Sequence, residues 1–205
     1  MQKSPRILFT LILVAVVAIS GCTTSPAPVS PAASPVTPAG VTGGPTGTLA
    51  APAGSLNLLV DSLASGATLP DIYTCKGASE SPGVSWEGIP TGAKSLVLIM
   101  DDPDAPSGTF THWILYNIPP AKGSLAPAQS NAKVLGNGAQ QGDTTAGSRG
   151  YYPPCPPIGT THRYIFRLYA VDTEITMPTA DRNSIDRALN GHILGEDRVT
   201  TTFSR

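Results

Sequence analysis

The sequence has few charged side chains and no excess of positive charge, since 13 lysines and arginines stand against 14 acidic residues in 205 positions. Proteins that hold nucleic acid through its phosphates carry a basic surface, so this composition argues against a nucleic-acid partner. The G-x-S-x-G, H-E-x-x-H and Walker motifs of common enzyme classes are also missing. We therefore expect a protein that is not an enzyme and that needs no cofactor.

The sequence also lacks an apolar run of the roughly 20 residues that a transmembrane helix needs. Its N-terminal run from Ile7 to Ile19 follows two basic residues, which is typical of an export signal. The run ends in Ile19-Ser20-Gly21-Cys22, which resembles the lipobox of prokaryotic lipoproteins. This resemblance implies a signal peptide over residues 1–21 and a diacylglycerol on the Cys22 thiol. The alternative is an uncleaved anchor helix, and both place the remaining chain outside the cytoplasmic membrane.

The next segment has no charged residue at all. Residues 23–54 are almost entirely Thr, Ser, Pro, Ala and Gly, and they cannot bury enough apolar surface to offset the entropy lost on ordering. We expect residues 22–54 to form a disordered tether and residues 55–205 to form a single domain. Removal of residues 1–21 takes away two basic residues, so 11 remain against 14 acidic ones, a formal charge of −3.

Only three cysteines are present, and Cys22 is assigned to the lipid. In an oxidising compartment the other two, Cys75 and Cys155, either form one disulfide or remain as buried thiols. The choice depends on the distance between their Cα atoms, so both alternatives stay open.

Strand patterns dominate residues 55–205. Apolar runs rich in β-branched and aromatic residues occupy 95–100, 113–118 and 164–171, and Gly and Pro separate them. The sequence predicts a mainly antiparallel β domain with helices at its margin.

Two helices are expected near the C-terminus. Asn183 has the character of an N-cap, with the Asp186 carboxylate at the third helical position, and Gly191 is expected to end the helix. A second short helix is predicted over residues 192–199.

Acids and histidines collect at the ends of the predicted strands. Asp101, Asp102 and Asp104 follow the first, His112 opens the second and His162 opens the third. Loops at strand ends are where binding groups concentrate. Acids beside prolines often bond only the amides of their own turn, but the joint arrangement with two histidines favours a functional site.

Four motifs appear in order along the domain: Asp102-Pro-Asp-Ala-Pro106, His112-Trp113, Cys155-Pro-Pro157 and Gly159-Thr-Thr-His-Arg-Tyr164. Together they resemble the phosphatidylethanolamine-binding protein family, and best its bacterial and archaeal YbhB/YbcL-like branch. The resemblance covers about Leu56 to Arg205. It implies a mainly β fold of two antiparallel sheets with Greek-key topology and small peripheral α-helices.

The resemblance also implies a small pocket for a phosphate-like anion or a phospholipid head group. Carried over by position, the ligand-binding residues are Asp102, Asp104, His112, Pro156, His162 and Tyr164, with Trp113 supporting His112. A carboxylate beside a histidine raises the pKa of the imidazole. We therefore expect charged imidazoles and the Tyr164 hydroxyl to donate hydrogen bonds to a phosphate.

The chain departs from the family pattern at three places. Pro154 stands where the family usually has glycine before Cys-Pro-Pro, which removes an amide donor from the rim. Phe203 is the nearest match to a tyrosine that helps to close the pocket. The polar segment 138–147 is longer than expected.

Three functions follow from these observations. The favoured one is an exported binding protein, anchored on the outer face of the cell membrane or in the periplasm, that captures an anionic or head-group ligand. Because related proteins are described as inhibitors of kinases or peptidases, regulation of a protein partner is a variant of it. The second is an ester hydrolase with a histidine base oriented by Asp102 or Asp104. The third is a mononuclear metal site of His112, His162 and the two acids.

Overall fold

A computed structural model describes residues 55–205 of the protein. The expected signal peptide, the lipidated Cys22 and the tether lie outside the described residues. Within them, the two short 3-10 turns are Asp71–Tyr73 and Pro120–Lys122, and the α-helix is α1 (Arg182–Leu189). The strands are β1 (Asn57–Val60), β2 (Val84–Glu87), β3 (Ser95–Asp102), β4 (Phe110–Ile118), β5 (Ser124–Leu125), β6 (Gln140–Gln141), β7 (Thr161–Val171) and β8 (Ile193–Ser204).

The strands form two antiparallel sheets. The smaller has the order β1-β2-β5 and the larger has the order β6-β4-β3-β7-β8. This confirms the predicted mainly β fold with two antiparallel sheets, and α1 is a small helix beside them. In the described part of the chain, neither α1 nor a 3-10 turn has the length and apolar character needed to cross a bilayer.

Strand β3 is the centre of the larger sheet, and every one of its residues is buried. Successive side chains of a strand point to opposite faces, so Leu98 and Met100 pack toward the smaller sheet, in a cluster with Trp86. Val97 and Ile99 point the other way and belong to the cluster that α1 covers. Burial on both faces explains why this segment has an unbroken apolar run instead of alternation.

The helix begins earlier than the sequence predicts. Its N-cap is Asp181, whose carboxylate accepts a hydrogen bond of 2.7 Å from the Ser184 amide. The predicted cap at Asn183 is wrong, because Asp181 supplies an equally good acceptor two residues earlier. The helix buries Ile185 and Leu189 against the larger sheet.

The predicted second helix over residues 192–199 is also wrong. Gly191 has a positive φ of 81° and turns the chain after α1, and β8 then pairs with β7 along its length. Val199, Thr201 and Phe203 are buried at a period of two, which is the pattern of a strand with one face on a core.

A β-bulge in β4 sets the direction of its first side chains. Met100 pairs with Trp113 whereas Asp101 pairs with Thr111, so His112 is an extra residue in β4. A bulge of this kind re-aims side chains locally. The Thr111 hydroxyl points to the Asp101 carboxylate at 2.8 Å, whereas the His112 ring lies over Tyr164 on the other face, with 5.3 Å between ring centroids.

Cys75 and Cys155 are joined by a disulfide, with 5.4 Å between their Cα atoms and a separation of 80 positions in the sequence. The Cys75 amide also donates to the Pro154 carbonyl at 3.0 Å. The loop that precedes β7 is therefore fixed to the segment that follows the first 3-10 turn.

Candidate functional site

A cavity of about 290 Å³ opens at one end of the larger sheet. Because β3 runs antiparallel to both β4 and β7, the end of β3 meets the starts of the other two strands at this edge. The lining residues are Asp102, Ala105, Pro106, Phe110, His112, Tyr152, Pro153, Cys155, Pro156, Pro157 and His162. The structure thus brings together four of the residues expected in the pocket: Asp102, His112, Pro156 and His162.

Asp102 and His162 form a buried pair at the base of the cavity. The His162 Nδ1 atom lies 2.8 Å from Asp102 Oδ2, and only 7% and 6% of the two side chains are exposed. The other carboxylate oxygen accepts the Asp104 amide at 2.8 Å. The acid is held by its own turn, and it fixes the imidazole so that Nε2 remains for the cavity.

His112 is held differently. Its Nδ1 atom lies 2.8 Å from the Tyr152 carbonyl oxygen, which can only accept, so Nδ1 carries the proton. Burial lowers the pKa of His112 below its ordinary value of 6.5. The expected charged imidazole is therefore not found at this position, because the loss of solvent outweighs the nearby carboxylates. Neutral His112 presents Nε2 as an acceptor.

This burial predicts a pH dependence of stability. The unfolded chain binds a proton at the ordinary histidine pKa, whereas folded His112 resists it, so the free energy of unfolding should fall as the pH drops below about 6.5. The loss is about 1.4 kcal/mol for each unit by which folding lowers the pKa. Urea unfolding at pH 7.5 and at pH 5 measures it. In His112→Gln the difference between the two pH values should shrink, and an unchanged difference would contradict the assignment.

Asp104, expected in the pocket wall, lies on the outside of it. Its carboxylate binds the Arg163 guanidinium in a two-pronged pair, with Oδ1 to Nη2 at 2.6 Å and Oδ2 to Nε at 2.9 Å. These bonds lower the pKa of Asp104 to about 2. Asp104 is not among the side chains that line the cavity.

Tyr164 and Trp113 lie in the core behind the cavity. The Tyr164 ring is fully buried under His112, burial raises its pKa, and its hydroxyl has no hydrogen-bond partner in residues 55–205. Trp113 is also fully buried, and its Nε1 donates to Gln141 at 3.0 Å. Phe203, the counterpart of a pocket-closing tyrosine, is buried in the same core cluster.

Two aromatic residues of the lining have no place in the sequence prediction. Phe110 opens β4 two residues before His112, and Tyr152 precedes the proline-rich rim. Their sequence signal is only that aromatic residues flank the expected site. Conversely, Asp101 belongs to the other face of the sheet, where it binds Thr111, Arg167 and Arg182.

The metal-site alternative receives no support from the arrangement of side chains. Over the range 55–205, no group of three or more His, Cys, Asp or Glu side chains is placed to hold an ion. Asp104, one of the four expected ligands, is bound to Arg163 instead.

The fold and the cavity define a two-sheet antiparallel β domain with a small pocket at one end of its larger sheet, lined by two histidines and one carboxylate among apolar side chains. The sequence model of the family described as phosphatidylethanolamine-binding protein matches residues 60–204. The chain belongs to the phosphatidylethanolamine-binding protein family.

Its relatives include proteins from archaea and bacteria. A UPF0098 protein of Methanothermobacter thermautotrophicus is 44% identical over 151 residues, which cover 73% of this chain and 99% of the relative. A Mycobacterium tuberculosis protein named as a lipoprotein, LppC, is 37% identical over 150 residues, 72% of each chain. That name agrees with a lipid anchor here, although the modification of Cys22 stays a prediction.

Solved structures share the fold. The homologue CT736 from Chlamydia trachomatis has a TM-score of 0.68 and 35% identity, over 74% of this chain and 99% of its own. YbcL from E. coli, described as a new member of the mammalian family, has a TM-score of 0.67 and 26% identity over the same shares.

Proposed function

We propose that the protein is a membrane-anchored, extracytoplasmic binding protein whose cavity takes a small phosphate-like anion or a phospholipid head group. The observation that supports this best is the pair of buried histidines that line one cavity. Asp102 and the Tyr152 carbonyl occupy their Nδ1 atoms, and the described part of the chain offers no hydrogen bond to either Nε2. Two fixed imidazole edges therefore face a space of head-group size.

The two imidazoles suit different oxygens of a singly charged phosphate ester. His162 is held through Nδ1 by Asp102, and with a proton on each ring nitrogen it donates from Nε2 to a phosphate oxygen. Neutral His112 accepts through Nε2, so it fits a phosphate hydroxyl. A doubly charged phosphate lacks that hydroxyl and is repelled by Asp102, so the monoanion is the preferred form.

The rim favours binding through its stiffness. Four prolines line the cavity, and the disulfide at Cys155 fixes the loop that carries three of them. A loop that is already ordered loses little entropy when a ligand arrives. A lipid anchor and tether would hold this rigid cavity close to head groups at high local concentration. Control of a partner protein through the same surface is a variant of this function.

The test is a titration of the full-length protein in maltoside micelles, observed through the histidine ring protons by NMR. The chain has only three histidines, and His192 lies outside the cavity with Asp172 as its exposed partner at 2.7 Å. A phosphate monoester should shift the His112 and His162 signals with one saturation curve and leave His192 unmoved. A ligand series that moves none of them, or moves all three equally, would contradict the proposal.

One observation favours a second function. A histidine oriented by a buried carboxylate, as in the Asp102–His162 pair, is an arrangement used for general-base catalysis. The cavity lining contains no serine or threonine nucleophile, so water would have to attack. Turnover of phosphate or carboxylic esters that disappears in His162→Ala, but persists in His192→Ala, would favour this hydrolase.

A further inference from the structure

The cavity lining contains no lysine and no arginine. Asp102 is its only carboxylate, and the guanidinium of nearby Arg163 is already bound to Asp104 outside the cavity. A site built for a simple phosphate normally offers cationic side chains. This lining has a negative group and two imidazoles instead, so it suits a ligand that also carries a positive charge.

The wall beside the histidines is aromatic. The Phe110 and Tyr152 rings have 5.5 Å between their centroids and are tilted by 46°, and the His112 ring lies 4.7 Å from Phe110 at 50°. We call Phe110 and Tyr152 the aromatic corner. Tyr152 is 40% exposed, so part of its ring is open to an incoming group.

An aromatic face attracts cations, and a cation within about 6 Å of the ring centroid interacts best when it is desolvated. A primary ammonium has three N–H donors that need acceptors. Both oxygens of Asp102 already accept a bond, from His162 and from the Asp104 amide. A methylated ammonium has no N–H group, so the aromatic corner and the charge of Asp102 satisfy it without further acceptors.

We infer that the ligand is a zwitterion of the phosphocholine class, with its phosphate on His112 and His162 and its trimethylammonium group on the aromatic corner. This rests on the proposed function, since it names the ligand class for the same cavity. The two ends of such a ligand are joined by a two-carbon link, which suits two adjacent walls of a cavity of about 290 Å³. Phe110 and Tyr152 then determine specificity.

Calorimetric titration of the full-length protein in maltoside micelles tests this with three probes: phosphocholine, phosphoethanolamine and inorganic phosphate. Phosphocholine should bind about tenfold more tightly than phosphate, as expected for one cation–π contact in a desolvated site, and more tightly than phosphoethanolamine. Phosphate that binds as tightly as phosphocholine overturns the inference but leaves the proposed function standing. Absence of binding by all three overturns both.

Two variants locate the effect. Tyr152→Leu and Phe110→Leu should bring phosphocholine to within about twofold of phosphate, because the contact removed is that of the cation. The Tyr152 carbonyl that holds His112 belongs to the backbone, so Tyr152→Leu leaves it in place. Tyr152→Phe keeps the ring and should keep the preference. Leucine variants that retain the full preference overturn the assignment.

One more probe distinguishes a zwitterion that belongs to a lipid head group from a soluble phosphate monoester. Glycerophosphocholine carries the phosphodiester of a lipid head group, whereas phosphocholine is a monoester with a hydroxyl for His112. Equal affinity for both supports the inference with a lipid source, and weaker binding of the diester supports it with a soluble monoester.

Discussion

Replacement of both Cys75 and Cys155 by serine is expected to lower the free energy of unfolding by about 4 kcal/mol, the range for a disulfide that closes a long loop. The bond closes a loop of about 80 residues, and its loss gives the unfolded chain many more conformations. Urea denaturation of the native and double-variant proteins under oxidising conditions measures the difference.

The double variant also tests the link between the disulfide and the cavity. Cys155 lies between Pro153 and Pro156 in the lining, so the freed rim should weaken phosphate-ester binding even where the domain stays folded. Native protein treated with a reductant is the matched control and should unfold at the same urea concentration as the variant. A loss of stability below about 1 kcal/mol would contradict this account of the bond.

Replacement of Asp101 by alanine is expected to cost about 3 kcal/mol of stability, the lower end of the range for breaking a buried ion pair. The carboxylate is 2% exposed and accepts bonds from Thr111, Arg167 and Arg182. It joins β3, β4, β7 and α1 on the face opposite the cavity. The lower end applies because the two arginine side chains are 28–29% exposed and regain water. Thermal or urea unfolding measures the loss.

We expect substitution of Asp102, the next residue in the chain, to lower ligand affinity and to leave stability nearly unchanged. Asp102→Asn preserves the shape of the side chain and an acceptor for the Asp104 amide, so its stability should change by less than about 1 kcal/mol, as for a neutral hydrogen bond. Affinity for a phosphate ester should fall at least about tenfold, because the charged hydrogen bond that holds the His162 ring in place is gone. Asp101→Asn is the matched control for binding and should keep its affinity. The reverse pattern would place the ligand on the wrong face of β3.

The main strands can be predicted because each one has a local sequence pattern, a short run of apolar and branched residues. Residues 95–100, 113–118 and 164–171 are apolar and branched, and all three fall within strands. The helix predicted over residues 192–199 is wrong because the helical and strand patterns of a short mixed segment are hard to tell apart. Only the pairing of β8 with β7, a tertiary contact, decides between them.

The sequence predicts which residues lie near the cavity, but it does not predict which way their side chains point. Asp102, His112, Pro156 and His162 line the cavity, but Asp104 turns outward because Arg163 offers a bidentate partner. That partner is 59 residues away along the chain. The direction of the His112 side chain depends on a one-residue bulge in β4, and no local sequence pattern predicts that bulge.

Phe110 and Tyr152 illustrate the same limit. Their contribution to a site arises from the approach of one loop to the start of β4, where the rings meet at 5.5 Å. Aromatic residues in such sequence contexts are usually core or surface residues, and only the tertiary structure separates those from a cavity wall.

Tyr152 contributes to the cavity through its backbone carbonyl and, separately, through its side-chain ring. Its carbonyl oxygen places the proton on His112, and any amino acid at this position supplies the same oxygen. Its ring forms part of the wall, and that part is lost in any substitution by a non-aromatic residue. Evolution can therefore alter ligand preference at position 152 while the proton on His112 keeps its place. Among proteins of this fold, a single substitution at this position would be enough to change which ligand the cavity prefers.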